Sequence, residues 1–247
     1  MDGYPVVILA GGRGTRIEEA TKGMMPKPLL EIGDISMLAH IIGIYKGQGF
    51  DRFFIAAGYL HEQIDQWRQT HQRSAWWRGE EITIVDTGAE SQTGGRIGRL
   101  AEHLGERFML TYGDGVSDIN LRALLDFHSR AVEQSGVLVT LTAVRPPSRF
   151  GALRIEDGIA RVFAEKPQAE EGWVNGGFYV VEPEALRLIA GDATMWEYDV
   201  LPVLAQQGRL AAFQHAGFWQ CVDMPREQAL LDELFRQGKA PWARWLK

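Results

Sequence analysis

Short apolar runs recur through the first half of the chain, at residues 6–10, 53–57, 82–86, 108–112 and 137–144, and between them apolar positions fall three and four apart. That pattern predicts strands alternating with helices, and so a mostly parallel sheet covered on both faces. Ser36 is placed to cap a helix that turns Met37, Leu38, Ile41, Ile42 and Tyr45 to one side, and Asp118 to cap another with Leu121, Leu124, Leu125 and His128 inward. His128 falls on that apolar stripe and reads as a satisfied core histidine. From Phe150 onward the pattern changes, since residues 152–163 alternate apolar and polar around Glu156-Asp157-Gly158. This is the chemistry of a tight hairpin, leaning over the edge of the sheet. Further strands are expected at 174–181 and 218–222. A helix at about 199–207 tolerates Pro202 in its first turn, and a last helix from Pro225 to Gly238 buries Leu230, Leu231, Leu234 and Phe235. Trp242 and Trp245 in the tail need cover from the body or from another subunit. The least regular segment, 61–81, sets Trp67, Trp76 and Trp77 among charges and reads as a packed surface excursion or, with slight preference, an oligomer contact.

At 247 residues with 45% apolar content, the chain can fill the core of one large domain over 1–247. Its formal charge of -6 comes from 26 basic and 32 acidic residues intermixed, so no basic stripe marks a nucleic-acid binder and any anionic ligand is met locally. The single Cys221 excludes an intrachain disulfide, and the chain opens on a strand with no basic-then-apolar leader. No apolar run approaches the ~20 residues that cross a bilayer. A cytoplasmic protein without membrane partners is expected. The histidines at 40, 61, 71, 103, 128 and 215 show no paired ligand spacing, which argues against zinc.

Candidate chemistry concentrates where the first strand runs into a glycine turn, Leu9-Ala10-Gly11-Gly12-Arg13-Gly14-Thr15-Arg16, followed by Met25-Pro26-Lys27-Pro28. Glycines there allow a sharp turn with bare N–H groups, a cradle for phosphate, and Arg16 and Lys27 supply countercharge as a planar fork and a point charge. The third glycine of GxGxxG is missing and no Lys-Ser or Lys-Thr pair follows, so neither a dinucleotide fold nor a P-loop fits. Taken alone, the turn is also compatible with a structural corner carrying surface cations.

A bound triphosphate calls for Mg²⁺, a hard ion held by one or two carboxylates plus phosphate oxygens. Asp114 follows the strand at 108–112 and Asp223 ends the strand at 218–222, so both fall on the carboxyl edge of one sheet, where ligands of open α/β sheets bind. Singly, Asp114-Gly115 is equally an ordinary turn and Asp223 an N-cap. Two glycine corners complete the pocket, Ser91 to Arg96 opening a helix and Val174 to Phe178 opening a strand, and Glu165-Lys166-Pro167 suits a sugar phosphate, although alone it reads as a charged turn. Cys221 has no nearby base and reads as a small core residue.

Together these residues resemble the signature of the sugar-phosphate nucleotidyltransferases: LAGGxGTR, a following PKP, an aspartate after a central strand, EKP, an NGG turn and a late aspartate. Within them the chain resembles the glucose-1-phosphate cytidylyltransferase family through VDTG (85–88), TGGR (93–96), TYGDGVSD (111–118), RFGAL (149–153), NGGF (175–178), LAQQG (204–208), GFWQ (217–220) and GKAPW (238–242). The resemblance implies a Rossmann-like mixed, mostly parallel sheet flanked by helices, with an antiparallel hairpin region over the sugar-binding half. Residues 1–145 would form the nucleotide-binding half, 146–223 the sugar-phosphate-binding half, and 224–247 a C-terminal helix and tail. It further implies transfer of CMP from CTP to α-D-glucose 1-phosphate with Mg²⁺, giving pyrophosphate and CDP-glucose, a precursor of 3,6-dideoxyhexoses in bacterial surface polysaccharides.

Carried over by position, Leu9, Ala10, Gly11, Gly12, Gly14, Thr15 and Arg16 would hold the nucleotide, with Arg16 and Lys27 on its phosphates. Ser91, Gly94 and Arg96 would face the base and Gly113 the ribose. Asp114 and Asp223 would hold Mg²⁺, and Glu165, Lys166, Asn175 and Gly176 the sugar phosphate. Arg16, Lys27 and Asp114 carry catalysis in this reading. Two departures stand out: the family's KPKP is Met25-Pro26-Lys27-Pro28 here, and the excursion at 59–82 is shorter than in relatives, where it helps build the oligomer. A homo-oligomer is still expected from the tryptophans. UTP or dTTP, or another sugar 1-phosphate, stays open as an alternative. A glycosyltransferase would carry Asp-x-Asp, and Val116 stands two residues after Asp114.

Overall fold

The computed structural model describes residues 3–14, 24–71, 80–146, 152–156, 159–164 and 172–246. In chain order its strands are β1 (Val6–Leu9), β2 (Glu31–Ile32), β3 (Ile35–Ser36), β4 (Arg52–Ala57), β5 (Glu81–Asp86), β6 (Phe108–Tyr112), β7 (Gly115–Ser117), β8 (Val139–Val144), β9 (Ala152–Glu156), β10 (Ile159–Ala164), β11 (Val174–Val181), β12 (Leu210–His215) and β13 (Trp219–Cys221). Seven of them form one sheet in the order β12-β8-β11-β6-β1-β4-β5. Every neighbouring pair is parallel except the two made by β11, which runs antiparallel to β6 and β8. The fold is therefore the mixed, mostly parallel α/β sheet that the strand–helix alternation foretells, and β9 and β10 form a separate antiparallel pair as expected.

β1 lies inside the sheet between β6 and β4, and its uninterrupted apolar run is explained by burial on both faces. Val6 and Ile8 enter one core with the helices Met37–Lys46, His61–His71, Leu121–Ser135 and Pro225–Arg236, whereas Val7 and Leu9 enter a second with Ile97, Trp196, Leu201 and Leu204. Ser36 caps the helix Met37–Lys46 by accepting from the Ala39 N–H at 3.2 Å. The inverted β11 has a consequence for the site. Phe178 pairs with Thr111, so the glycine corner that starts β11 lies at the same edge as the carboxyl ends of β1 and β6.

Four expectations are corrected, and one strand is added. Asn120, not Asp118, caps the helix Leu121–Ser135, because Asp118 is drawn across to the Phe218 N–H at 2.7 Å. The strand near 218–222 is β13, which leaves the large sheet and pairs with β7 in a small ribbon. β12, which fills the sheet edge beside β8, follows a weak apolar pattern and was not foreseen. Residues 61–71 form a regular helix whose Ile64 and Trp67 are buried in the chain's own core, while Trp76 and Trp77 lie outside the described residues. In the last helix Leu231 is buried but Leu230 is exposed. The tail tryptophans take their cover from the body: Trp242 stacks on Phe218 and meets His40 edge-on, and Trp245 lies against Gly43 and Gly47.

Candidate functional site

A cavity of 590 Å³ opens at the carboxyl edge of the large sheet, where β1, β6 and the start of β11 end together. Its floor is the turn after β1. Ala10 donates to the Ala56 carbonyl at 2.9 Å and the Gly11 carbonyl accepts from Tyr59 N–H at 3.1 Å, which fixes the loop against β4 before Gly14 takes a left-handed φ of 63°. Gly113 has to be glycine for contact reasons: a Cβ there would lie 2.8 Å from both the Leu9 carbonyl and Pro28 Cγ.

The charged centre is built from three distant segments. Pro26 is extended and Lys27 begins a single helical turn, so the lysine side chain projects inward, where its Nζ lies 2.7 Å from Asp114 Oδ2 and 2.7 Å from Asp223 Oδ1. Asp114 occupies the corner between β6 and β7, and pairing of Cys221 with Gly115 in the ribbon brings Asp223 opposite it. Asp223 is thus no helix cap. Its own N–H instead bonds the Glu227 carboxylate at 2.6 Å, leaving its side chain to Lys27. Burial disfavours the Lys27 ammonium, but the charges and hydrogen bonds of Asp114 and Asp223 outweigh it and hold its pKa above the ordinary lysine value. Beside them Cys221 lines the wall, its thiol pushed up to about 12 by burial and then by the neighbouring carboxylates, which keeps it protonated.

One wall is the corner Ser91 to Arg96. Ser91, Gln92, Thr93 and Arg96 line the cavity; Gly94 does not, because it packs against Thr194, whose carbonyl would stand 2.8 Å from a Cβ. Arg96 is buried under the loops rather than extended into the space. Its guanidinium donates to Thr87 Oγ1 at 2.8 Å and to the Gly88 and Ala89 carbonyls at 2.7 and 3.3 Å, and a Cβ on Gly11 or Gly58 would overlap it. Burial lowers its pKa, with Asp86 opposing. The opposite wall carries Asn175 and Gly176, both on the cavity, and Gly177 at φ 76°, whose N–H bonds Asn175 Oδ1 at 3.0 Å.

Sequence reasoning missed a carboxylate at the back. Glu197 accepts from the Tyr112 hydroxyl and from Thr93 Oγ1 at 2.6 Å; Tyr112 and Tyr179 hydroxyls lie 2.8 Å apart, and Asn175 donates to Tyr179. Burial, followed by Tyr179 and the Glu197 charge, pushes the Tyr112 hydroxyl far up, so it stays a donor. Trp219 Nε1 donates to the Gly176 carbonyl at 2.7 Å, tying the ribbon to this wall. No local motif announces Glu197, which lies in a short π-helical turn, Trp196–Val200, 85 residues along the chain from Tyr112. Of the foreseen residues, Leu9, Ala10, Gly11, Gly12, Gly14, Lys27, Ser91, Arg96, Gly113, Asp114, Asn175, Gly176 and Asp223 line the one cavity. Thr15, Arg16, Glu165 and Lys166 lie outside the described residues.

Among the described residues no three His, Cys, Asp or Glu side chains gather as a metal cluster, but the Asp114–Asp223 pair fits Mg²⁺, which takes its other ligands from phosphate and water. Nor is any helix among them long and apolar enough to cross a membrane.

The family described as Nucleotidyl transferase matches residues 5–232. The chain is 43% identical to the glucose-1-phosphate cytidylyltransferase of Salmonella typhi, covering 97% of this chain and 98% of that one. It is 36% identical to a probable glucose-1-phosphate cytidylyltransferase of Bacillus subtilis strain 168, over 97% and 99%. Among solved structures, HddC from Yersinia pseudotuberculosis superposes with a TM-score of 0.73 at 22% identity, covering 94% and 99% of the two chains, a likeness of fold.

Proposed function

The chain belongs to the nucleotidyl transferase family, and we propose that it transfers CMP from CTP to α-D-glucose 1-phosphate, releasing pyrophosphate and giving CDP-glucose. The observation that carries nucleotidyl transfer is the convergence of Lys27, Asp114 and Asp223 within a glycine-walled cavity at the sheet's carboxyl edge. Near-complete coverage at 43% identity favours the cytidylyl and glucose 1-phosphate assignment.

In this reading the glycine loop from Gly11 to Gly14 receives the triphosphate and the corner at Ser91 receives the base, while Asn175 and Gly176 face the sugar. A phosphate oxygen of the sugar phosphate attacks the α-phosphorus; that O–P bond forms as the bond to the β-phosphate oxygen breaks, and the electron pair leaves with pyrophosphate. The nucleophile is already an anion, so no general base is needed and the work of the protein is positioning and charge neutralisation. Asp114 and Asp223 would hold Mg²⁺, which when bound would supply positive charge to neutralise the phosphates. Lys27 contributes positive charge from the floor of the cavity. Arg16, and Glu165 with Lys166, are assigned to the leaving phosphates and to the sugar phosphate on their place in the sequence motifs.

The test is Mg²⁺-dependent pyrophosphate release with glucose 1-phosphate and, in parallel, CTP, UTP, dTTP, ATP or GTP. Release confined to CTP is expected. Equal release with UTP or dTTP would move the assignment to another nucleotide, and silence with all five would move it to another sugar phosphate.

A further inference from the structure

The cavity's cations are largely committed. Among the described residues lining it, Lys27 serves two carboxylates and Arg96 is spent on backbone carbonyls and Thr87. Where a second lysine would precede the Pro26-Lys27 pair, Met25 packs against the hydrophobic core. One more cation belongs to the glycine loop itself. Arg13 lies between Gly12 and Gly14, both on the cavity wall, and its guanidinium pairs with Glu90, the residue before the cavity-lining Ser91 and Gln92. The pair therefore joins the loop that would take phosphate to the corner that would take the base. The Tyr59 ring, 5.7 Å from Arg13 Cζ, supports the guanidinium from one side. Tyr59 is itself bonded to Gly11, so ring and loop form one unit.

Resting on the nucleotidyl-transfer reading, we propose that Arg13 is a phosphate-binding residue of this chain: it holds the nucleotide's triphosphate, and rests on Glu90 when none is bound. The Arg13 and Glu90 side chains are 57% and 81% exposed, and an ion pair that open to water contributes little and parts at small cost. A triphosphate seated on the glycine amides offers several anionic oxygens to the same planar fork, and charge-assisted forked bonds to phosphate are among the strong ones. Glu90 is then a competitor for the arginine, not a member of the binding site.

This assigns opposite signs to the two partners, which a merely structural clasp does not. CTP binding is measured by calorimetry with Mg²⁺ and no sugar phosphate, on wild type, Arg13→Gln, Arg13→Lys, Glu90→Gln and the double variant, with CMP as the second ligand. Arg13→Gln is expected to weaken CTP about tenfold and leave CMP little changed, with Arg13→Lys in between. Glu90→Gln is expected to tighten CTP about threefold, and the double variant to match Arg13→Gln. Wild-type affinity in Arg13→Gln, equal weakening by Arg13→Gln and Glu90→Gln, or equal loss of CTP and CMP would overturn the proposal while leaving the cytidylyl reading intact. A wild type that fails to bind CTP at all would overturn that reading, and this assignment with it.

Discussion

His40 shows how one buried side chain can set the stability of this protein against pH. It sits in the helix Met37–Lys46 beneath the tail, its Nε2 donating to the Ile32 carbonyl at 2.9 Å and its Nδ1 accepting from Trp242 Nε1 at 3.3 Å. Both nitrogens are thereby assigned, one as donor and one as acceptor, and only the neutral ring can satisfy them. Burial lowers the pKa to about 4, although the bond to Ile32 resists. The folded value is below the unfolded value of about 6.5, so the unfolded chain takes up a proton first as pH falls. The contribution is fully present above about pH 6.5 and is lost progressively down to about pH 4, the loss reaching about 3 kcal/mol at the end of that window. Urea unfolding at pH 7.5 and at pH 4 should show it: the stability gap between wild type and His40→Gln should close by about that amount on acidification. A gap that stays constant would mean that His40 does not titrate between the two states.

At the scale of elements, the two glycines at 136 and 177 separate backbone cost from packing cost. Gly136 ends the helix Leu121–Ser135 at φ 62° with no atom within 4 Å of a would-be Cβ, whereas Gly177 at φ 76° has the Tyr112 ring directly over that position. Gly136→Ala should therefore cost only the left-handed backbone, about 1 kcal/mol. Gly177→Ala should cost about 2 kcal/mol or more, since Tyr112 must also leave Glu197 and Tyr179. Denaturant curves on the two variants decide this, and equal losses would show that the Tyr112 ring yields freely.

The same contrast explains what was legible in the sequence. β1 was readable because burial on both faces requires an unbroken apolar run, and the glycine corners because close backbone approach leaves no alternative residue. β12 was not, since Leu210 to His215 pairs with β8 alone and its side chains are only half covered. Asp118 was misjudged because a cap and a cross-ribbon acceptor use the same side chain, and only the fold brings Phe218 within reach. Glu197 and its tyrosines could not be foreseen for the same reason: Tyr112 bonds Glu197 and Tyr179, 85 and 67 residues away, and no spacing rule links them.

Across the whole molecule, Lys27 ties together segments 87 and 196 residues away from it, so the charged centre is also a tertiary clasp. The three side chains are 11%, 32% and 15% exposed, enough removed from water that deleting the cation is costly. In the proposed reading, Lys27 and a divalent cation seek the same two carboxylates. In the wild type, Mg²⁺ binding without nucleotide has to work against the ammonium already there. Replacing it, as in Lys27→Met, lowers the stability of the metal-free protein and at the same time opens the pair to metal. Binding to the folded state alone raises stability by RT ln(1 + [L]/Kd), about 2.7 kcal/mol at a hundredfold excess over Kd. For a chain of this length each kcal/mol moves Tm by about 2 °C. Titrating Mg²⁺ to a hundredfold excess over Kd during thermal unfolding should thus raise Tm by about 5 °C in Lys27→Met and by less in wild type. Asp114→Asn in the Lys27→Met background should abolish the difference. Equal responses in the two proteins would place the metal elsewhere than on Asp114 and Asp223, and would leave Lys27 as a structural clasp between the two halves of the sheet edge.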